Sequence, residues 1–344
     1  MMTLMINSAR SAYKTHADDP QNPVDLLREL ELKSDAIVFL GDQQVDLTSL
    51  NLKRPEDTDL VVDVEWSGIS TGTERLLWSG KMPAFPGLAY PLVPGYESVG
   101  RVVHSELHRD WVGSHVFVPG ANCYENAAGL FGATSSRIII PQSRAVRLDG
   151  SVQRNDVLLA LAATAHHALN QSELPELIIG HGVLGRLMAR LVIALGGRAP
   201  QVWETNVQRQ DGDGYSVMHP ESDVRRDYKF VCDVSGNVEA IDTAISHCGK
   251  GAEIVLAGFY ADRVSFAFPA AFMREVSFKI AAEWDRSDME AVLMLRRRGV
   301  LNLDGLVTHA ETPEAAQRAY QTAFSDPDCL KMVLDWRSHH DHFA

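Results

Sequence analysis

Apolar positions follow two different rules on either side of about residue 172. From Ala36 to Ile140 they come in short β-branched runs: Ala36–Leu40, Val45–Leu47, Leu60–Val64, Val99–Val103, His115–Val118 and Arg137–Ile140. Gly, Pro and Asn separate these runs, the pattern of short strands joined by turns. An irregular, mostly β domain is predicted there. Asn155 to Leu169 reads as a helix, opened by Asn155-Asp156 in capping positions. After Glu173 the pattern changes. Leu177-Ile178-Ile179 is a strand, and Leu184, Leu187, Met188, Leu191, Val192 and Leu195 recur at helical spacing up to Gly196-Gly197. A strand reaching Val202-Trp203, a strand at Phe230–Val234, a helix at Asn237–Cys248 and a strand at Glu253–Ala257 continue the alternation. That order predicts an α/β unit with a parallel sheet and right-handed crossovers. Residues 1–35 differ from the rest: a polar, proline-bracketed link, Asp18 to Pro23, precedes a short helix expected over Val24–Leu32.

With 344 residues the chain has room for about two domains. Hydrophobic residues make up 45% and charged ones 22%, a globular mixture rather than a disordered one. The net charge of −13 repels phosphate backbones and anionic lipid, which argues against nucleic acid or a membrane surface as partner. No apolar run approaches the roughly 20 residues of a membrane span. Met1 to Tyr13 has no signal-peptide pattern, so a cytoplasmic location is expected. Cys123, Cys232, Cys248 and Cys329 lie far apart with no CxxC, as free thiols do, and cannot build a four-cysteine zinc lobe.

Gly180-His181-Gly182-Val183-Leu184-Gly185 sits directly after a strand and opens a helix. In that context a GxGxxG turn cradles a dinucleotide pyrophosphate on free backbone N–H groups at the helix start. Glu204 closes the next strand, near the ~20-residue spacing at which a carboxylate binds the adenosine ribose. A carboxylate there repels the extra phosphate of NADP, so NAD is expected. Arg209, beyond it in a polar loop, reads as a solvated charge.

With these segments in view the chain resembles the medium-chain dehydrogenase/reductase family. The resemblance is carried by Trp66 to Glu74 (WSGISTGTE), Val93 to Ser98 (VPGYES), Thr164 to Leu169 (TAHHAL), the glycine-rich turn and Cys329 to Trp336 (CLKMVLDW). It implies a GroES-like β-rich catalytic domain plus a Rossmann doubly wound dinucleotide-binding domain. The implied division is an N-terminal extension over 1–35, a catalytic domain over 36–171, a Rossmann domain over 172–284 and a C-terminal return over 285–344. The segments are most similar to members that oxidise the 3-(1-hydroxyethyl) group of a (bacterio)chlorophyllide to acetyl. They imply a magnesium tetrapyrrole as small-molecule substrate, NAD as hydride acceptor and a homodimer paired through a cofactor-domain strand near Val276–Ala281.

The chain departs from zinc-containing relatives where they hold their metal. Ser70, Tyr96 and Ala160 stand at the ligand positions, and only Glu97 remains as a possible donor. No zinc is expected, so hydrogen bonds have to polarise the reacting oxygen. Tyr96 and Ser70 are the candidates for that task. Thr73 and Glu74 are expected to relay the proton outward, and His166 is a second possible acceptor. His166 and His167, adjacent on a helix, are expected to point about 100° apart and not to share one site. Trp66, Trp78, Phe85, Tyr90 and Phe131 are candidates for a flat wall against a macrocycle. Two other readings stay open: a zinc-free NADPH-dependent quinone or enoyl reductase, and a non-catalytic dinucleotide-binding protein.

Overall fold

The structure, a computed structural model, describes residues 32–340 except 42, 85, 261 and 262. The helix expected over 24–32, all but its last residue, and the link before it lie outside the described residues, as does Phe85.

The β-rich half begins with an antiparallel hairpin of β1 (Lys33–Gly41) and β2 (Gln44–Asn51). Strand β1 therefore starts ahead of the boundary expected at Ala36, and it buries Ile37, Val38 and Phe39. Strand β3 (Asp59–Ile69) then runs straight into the first candidate motif and ends at α1 (Thr73–Trp78). Helix α1 has six residues, too few to leave a periodic signature in the sequence. Strands β4 (Ser98–His104), β5 (His115–Val118), β6 (Arg137–Pro141) and β7 (Val146–Arg147) follow. The expected helix over Asn155–Leu169 resolves into a tight turn, Arg154–Leu158, and α2 (Leu159–Leu169). The turn is opened by Gln153, whose N–H donates to the Asp156 carboxylate at 2.6 Å, rather than by Asn155.

The parallel half contains β8 (Leu177–Ile179), α3 (Val183–Ala194), β9 (Gln201–Trp203), β10 (Ser216–Met218), β11 (Tyr228–Asp233), α4 (Ala240–His247), β12 (Cys248–Leu256), α5 (Phe268–Arg274) and β13 (Ser277–Ile280). Its six strands are ordered β10-β9-β8-β11-β12-β13, all parallel. The order reverses between β8 and β11, the switch point at which such sheets bind dinucleotides. Helix α4 is shorter than the expected Asn237–Cys248. The Asn237 side chain accepts the Glu239 N–H in a turn, and Cys248 already belongs to β12.

Helix α6 (Arg286–Arg297) packs on α2 and α3, and the chain then returns through β14 (His309–Glu311), α7 (Ala316–Ser325) and β15 (Met332–Asp335). Strand β15 pairs antiparallel with β3, Met332 opposite Ile69, and completes a sheet ordered β14-β15-β3-β4-β5-β7 with β6 also on β3. One apolar core lies between α2, α3, α6 and one face of the parallel sheet. A second fills the β-rich half around Phe39, Tyr320 and Trp336, and a third lies under α4 and α5. Among the described residues no helix is long and apolar enough to cross a membrane.

Candidate active site

Two groups of residues meet where the halves face each other. The first is the glycine-rich turn. Gly180 has φ +99°, a conformation that L side chains rarely adopt. At Gly185 an added Cβ would lie 1.9 Å from the Gly180 carbonyl oxygen, so helix and strand can approach only without a side chain. Above Gly182, by contrast, nothing lies within 4 Å of where a Cβ would be, and this N-cap gives α3 no side-chain partner for its first amides. The backbone of Gly182 and Val183 thus opens towards a cleft of about 300 Å³, also lined by Thr71, Arg75, Asn206 and Arg209. This is the shape and polarity that a pyrophosphate requires.

Glu204 caps β9 beside this turn, its carboxylate accepting the His181 N–H at 3.1 Å and the Asn206 N–H at 2.8 Å. The His181 ring does not enter the cleft. Fully buried, it donates from Nδ1 to the Arg209 carbonyl at 2.5 Å, and its Nε2 accepts from the Tyr215 hydroxyl at 2.8 Å. Burial lowers its pKa, consistent with that neutral tautomer. Arg209 is not the solvated charge expected from its polar loop. Its Nε donates to the Pro327 carbonyl at 2.6 Å and ties the loop after β9 to the C-terminal return.

The second group surrounds Tyr96. Its hydroxyl lies 2.5 Å from the Ser70 hydroxyl, and Thr73 stands close enough to favour its ionised form. Burial, then the Glu97 carboxylate, raises the Tyr96 pKa above the usual phenol range. Tyr96 therefore keeps its proton at neutral pH and is equipped to donate it as a hydrogen bond rather than to act as a base. The sequence motifs thus brought Ser70, Thr73 and Tyr96 together correctly.

Glu74 differs from expectation, for it points inward. It is fully buried and accepts the Ser70 N–H at 3.0 Å and the Tyr320 hydroxyl at 2.8 Å. No Ser70 hydroxyl bond reaches it, so the outward relay through Glu74 does not exist in this geometry. Burial, reinforced by Glu97 and opposed by the Ser70 and Tyr320 hydrogen bonds and by Lys331, pushes its pKa up to about 7. A raised carboxyl pKa means that the folded state holds the proton more tightly than the unfolded one. Its contribution to stability is therefore lost as pH rises from about 4.5 to about 7. Glu74→Gln, which mimics the protonated acid, should become progressively more stable than the parent over that window. Thermal midpoints of both proteins from pH 4.5 to 7.5 check this, and a constant difference would mean that Glu74 stays ionised.

Glu97 is fully buried and ion-paired with Lys331, itself 1% exposed. Its carboxylate is thus committed behind Tyr96 and acts on the site through its charge. His166 belongs elsewhere. It and His167 both bond Asp288 on α6, each from Nδ1 at 2.8 Å. The two oxygens of one carboxylate let both rings converge, so the expectation that they do not share one site is corrected. No hydrogen bond among the described residues links His166 to Tyr96, Ser70, Thr73 or Glu74. It joins α2 to α6 and cannot end a proton relay from Tyr96.

The aromatic residues do not form one wall. Arg337 lies over the Trp66 ring at 4.5 Å, Trp78 packs on Phe324, and the Tyr90 hydroxyl donates to the Leu77 carbonyl at 2.6 Å. Of the described four, only Phe131 pairs with Tyr96, their rings 5.1 Å apart.

Comparison with known proteins agrees with this geometry. Residues 56–150 match the alcohol dehydrogenase GroES-like domain. The chain is 51% identical over 311 residues to 2-desacetyl-2-hydroxyethyl bacteriochlorophyllide A dehydrogenase of Rhodobacter capsulatus, covering 89% of this chain and 99% of the relative. The chain belongs to the medium-chain dehydrogenase/reductase family. The protein of the same name from Cereibacter sphaeroides is 48% identical, again over 89% of this chain and 99% of its own. An Escherichia coli alcohol dehydrogenase solved with NADH superposes with a TM-score of 0.75 at 17% identity, covering 88% of this chain and 99% of that one.

The zinc of metal-dependent family members does not fit this donor set. Ser70 and Tyr96 bond each other, Ala160 is buried in the core, and Glu97 is taken by Lys331. Three protein ligands are what a catalytic zinc requires. The one cluster of metal-capable residues among those described, His167 with Asp285 and Asp288, lies at the start of α6, where both carboxylates already cap the helix. Sequence reading missed Lys331 and Tyr320, which complete the charge balance behind Tyr96. Lys331 stood in a quoted motif, and a lysine inside the apolar run Leu330 to Leu334 was the available signal.

Proposed function

We propose that this chain is a zinc-independent, NAD-dependent dehydrogenase that oxidises the 3-(1-hydroxyethyl) group of (bacterio)chlorophyllide a to 3-acetyl in bacteriochlorophyll a biosynthesis. The substrate rests on the names of the two relatives at 51% and 48% identity. The chemistry rests on one observation, the Ser70–Tyr96 hydroxyl pair at 2.5 Å, at positions where the family resemblance implies a metal in zinc-dependent members.

A nicotinamide dinucleotide bound over the glycine-rich turn supplies the hydride acceptor. Tyr96 donates a hydrogen bond to the substrate oxygen as it turns from alcohol to ketone, and Ser70 orients that phenol. The alcohol hydrogen passes to the Tyr96 oxygen in step with transfer of the phenol's own hydrogen to Ser70, so Tyr96 stays neutral and ends as donor to the ketone. Thr73, half-buried at the start of α1, is the outlet to solvent, because Glu74 faces inward and His166 is bound to Asp288. Glu97 and Lys331 set the field behind the phenol. The functional units we propose are those expected from the sequence, with the return over 285–344 closing the catalytic domain. A homodimer would pair along β13, an edge strand with Ile280 79% exposed, near the exposed Phe268, Phe272 and Met273.

The test is an absorption assay with hydroxyethyl-chlorophyllide and NAD, since acetyl formation shifts the pigment spectrum. Turnover with NAD is expected to exceed turnover with NADP, because Glu204 repels a 2′-phosphate. Glu204→Ser should narrow that ratio. A parent enzyme that prefers NADP would remove Glu204 from the ribose site, and no turnover with either cofactor would overturn the reading.

A further inference from the structure

We infer that Phe131 is the surface on which the substrate macrocycle stacks, and so the residue that sets this enzyme's preference for a large planar alcohol. The inference deepens the function proposed above and rests on it. Phe131 is half-buried, and its ring lies 5.1 Å from Tyr96 with the two planes inclined by 67°. It is the described aromatic ring paired with that of Tyr96; Trp66, Trp78 and Tyr90 are occupied by Arg337, Phe324 and Leu77.

The backbone holding Phe131 is unusually constrained. Its carbonyl accepts the Ala121 N–H at 2.6 Å, and the next three residues donate to the segment that carries Tyr96. Gly132 reaches the Val93 carbonyl at 3.1 Å, Ala133 that of Gly95 at 2.9 Å and Thr134 that of Pro94 at 2.9 Å. Gly120 and Gly132, on either side of the crossing, admit no side chain: a Cβ would lie 2.7 Å from the Phe131 carbonyl oxygen and 2.0 Å from that of Ala121. The loop therefore fixes the backbone of Phe131 against the segment that carries Tyr96.

The angle between the rings gives this arrangement its use. A flat macrocycle laid offset-parallel on Phe131 is steeply inclined to the Tyr96 ring. In the inferred pose its rim, not its face, lies towards the Tyr96 and Ser70 hydroxyls. The hydroxyethyl group is a rim substituent lying near the macrocycle plane, so in that pose the carbinol is presented to the hydroxyl pair. A compact alcohol without a π face would gain nothing from Phe131.

Phe131→Leu and Phe131→Ala separate stacking from support of Tyr96. Loss of a stacking face should raise KM for hydroxyethyl-chlorophyllide about tenfold or more. The kcat and the KM for NAD should stay within a few-fold, and Phe131→Trp should keep the low KM. A variant with unchanged pigment KM, or one that loses kcat instead, would overturn the inference and leave Phe131 as a brace for Tyr96. Retained NAD affinity and circular dichroism identify variants that are folded. If only Phe131→Ala fails to fold, Phe131→Leu decides. Parent enzyme that does not oxidise the pigment at all sinks the proposed function along with this inference, whereas an active parent with indifferent variants sinks this inference alone.

Discussion

Tyr96→Phe is expected to lower kcat by about 100-fold or more, the usual loss for one preorganised hydrogen bond to a reacting oxygen. The substitution keeps the ring and its contact with Phe131 and removes only the hydroxyl held at 2.5 Å by Ser70. The KM for NAD should not move, because the glycine-rich turn and Glu204 are untouched. Since the Tyr96 pKa is raised, activity should not depend on its ionisation near neutrality. Steady-state rates of acetyl formation in both proteins provide the measurement. A variant that turns over within a few-fold of the parent would make Tyr96 a packing residue and shift attention to Ser70.

The parts of this site that a sequence reveals are the parts made by neighbours in the chain. Gly180 to Gly185 follow a strand and start a helix within six positions, so their role could be inferred without a fold. The same holds for Ser70 and Thr73, which share one loop after β3. Helix α1 and strands β10 and β14 have too little periodicity to stand out, whereas the equally short β8 and β9 are marked by the glycine-rich turn and helix between them. Direction was also hidden. Nothing local tells whether Glu74 faces solvent or core, because its partner Tyr320 lies 246 positions away. The histidine pair fails for a subtler reason: helical geometry fixes where side chains start, not where a bidentate partner lets them end. Arg209 likewise finds its acceptors only after the chain has returned through α7.

Lys331→Met should destabilise the fold by about 3–5 kcal/mol, the range for stranding one partner of a buried ion pair. Both groups are almost without solvent contact, and Glu97 has no other partner for its charge. Burial already raises the Glu97 pKa against the pull of Lys331, so without the ammonium the carboxyl takes up a proton or the site opens. Joining Lys331→Met to Glu97→Gln should recover most of the loss, because no anion is then left unpaired. Urea unfolding of the parent, both single variants and the double variant measures the coupling. A single variant that costs under about 1 kcal/mol would mean that Glu97 is neutral in the parent as well. Gly68 belongs to the same arrangement: a Cβ there would lie 2.4 Å from a Glu97 oxygen, leaving the lysine no path beneath β3.

The pairing of β15 with β3 has a consequence for how the enzyme is made. These strands come from opposite ends of the described chain, and every strand of the parallel sheet is synthesised between them. On the ribosome all the parallel strands are made while β3 still lacks β15 and Glu97 its counter-charge. A chain ended before β15 would lack Lys331 behind Tyr96 as well as part of the C-terminal return that lines the cofactor cleft. The hydroxyl pair and the charge behind it are assembled only once β15 has joined β3.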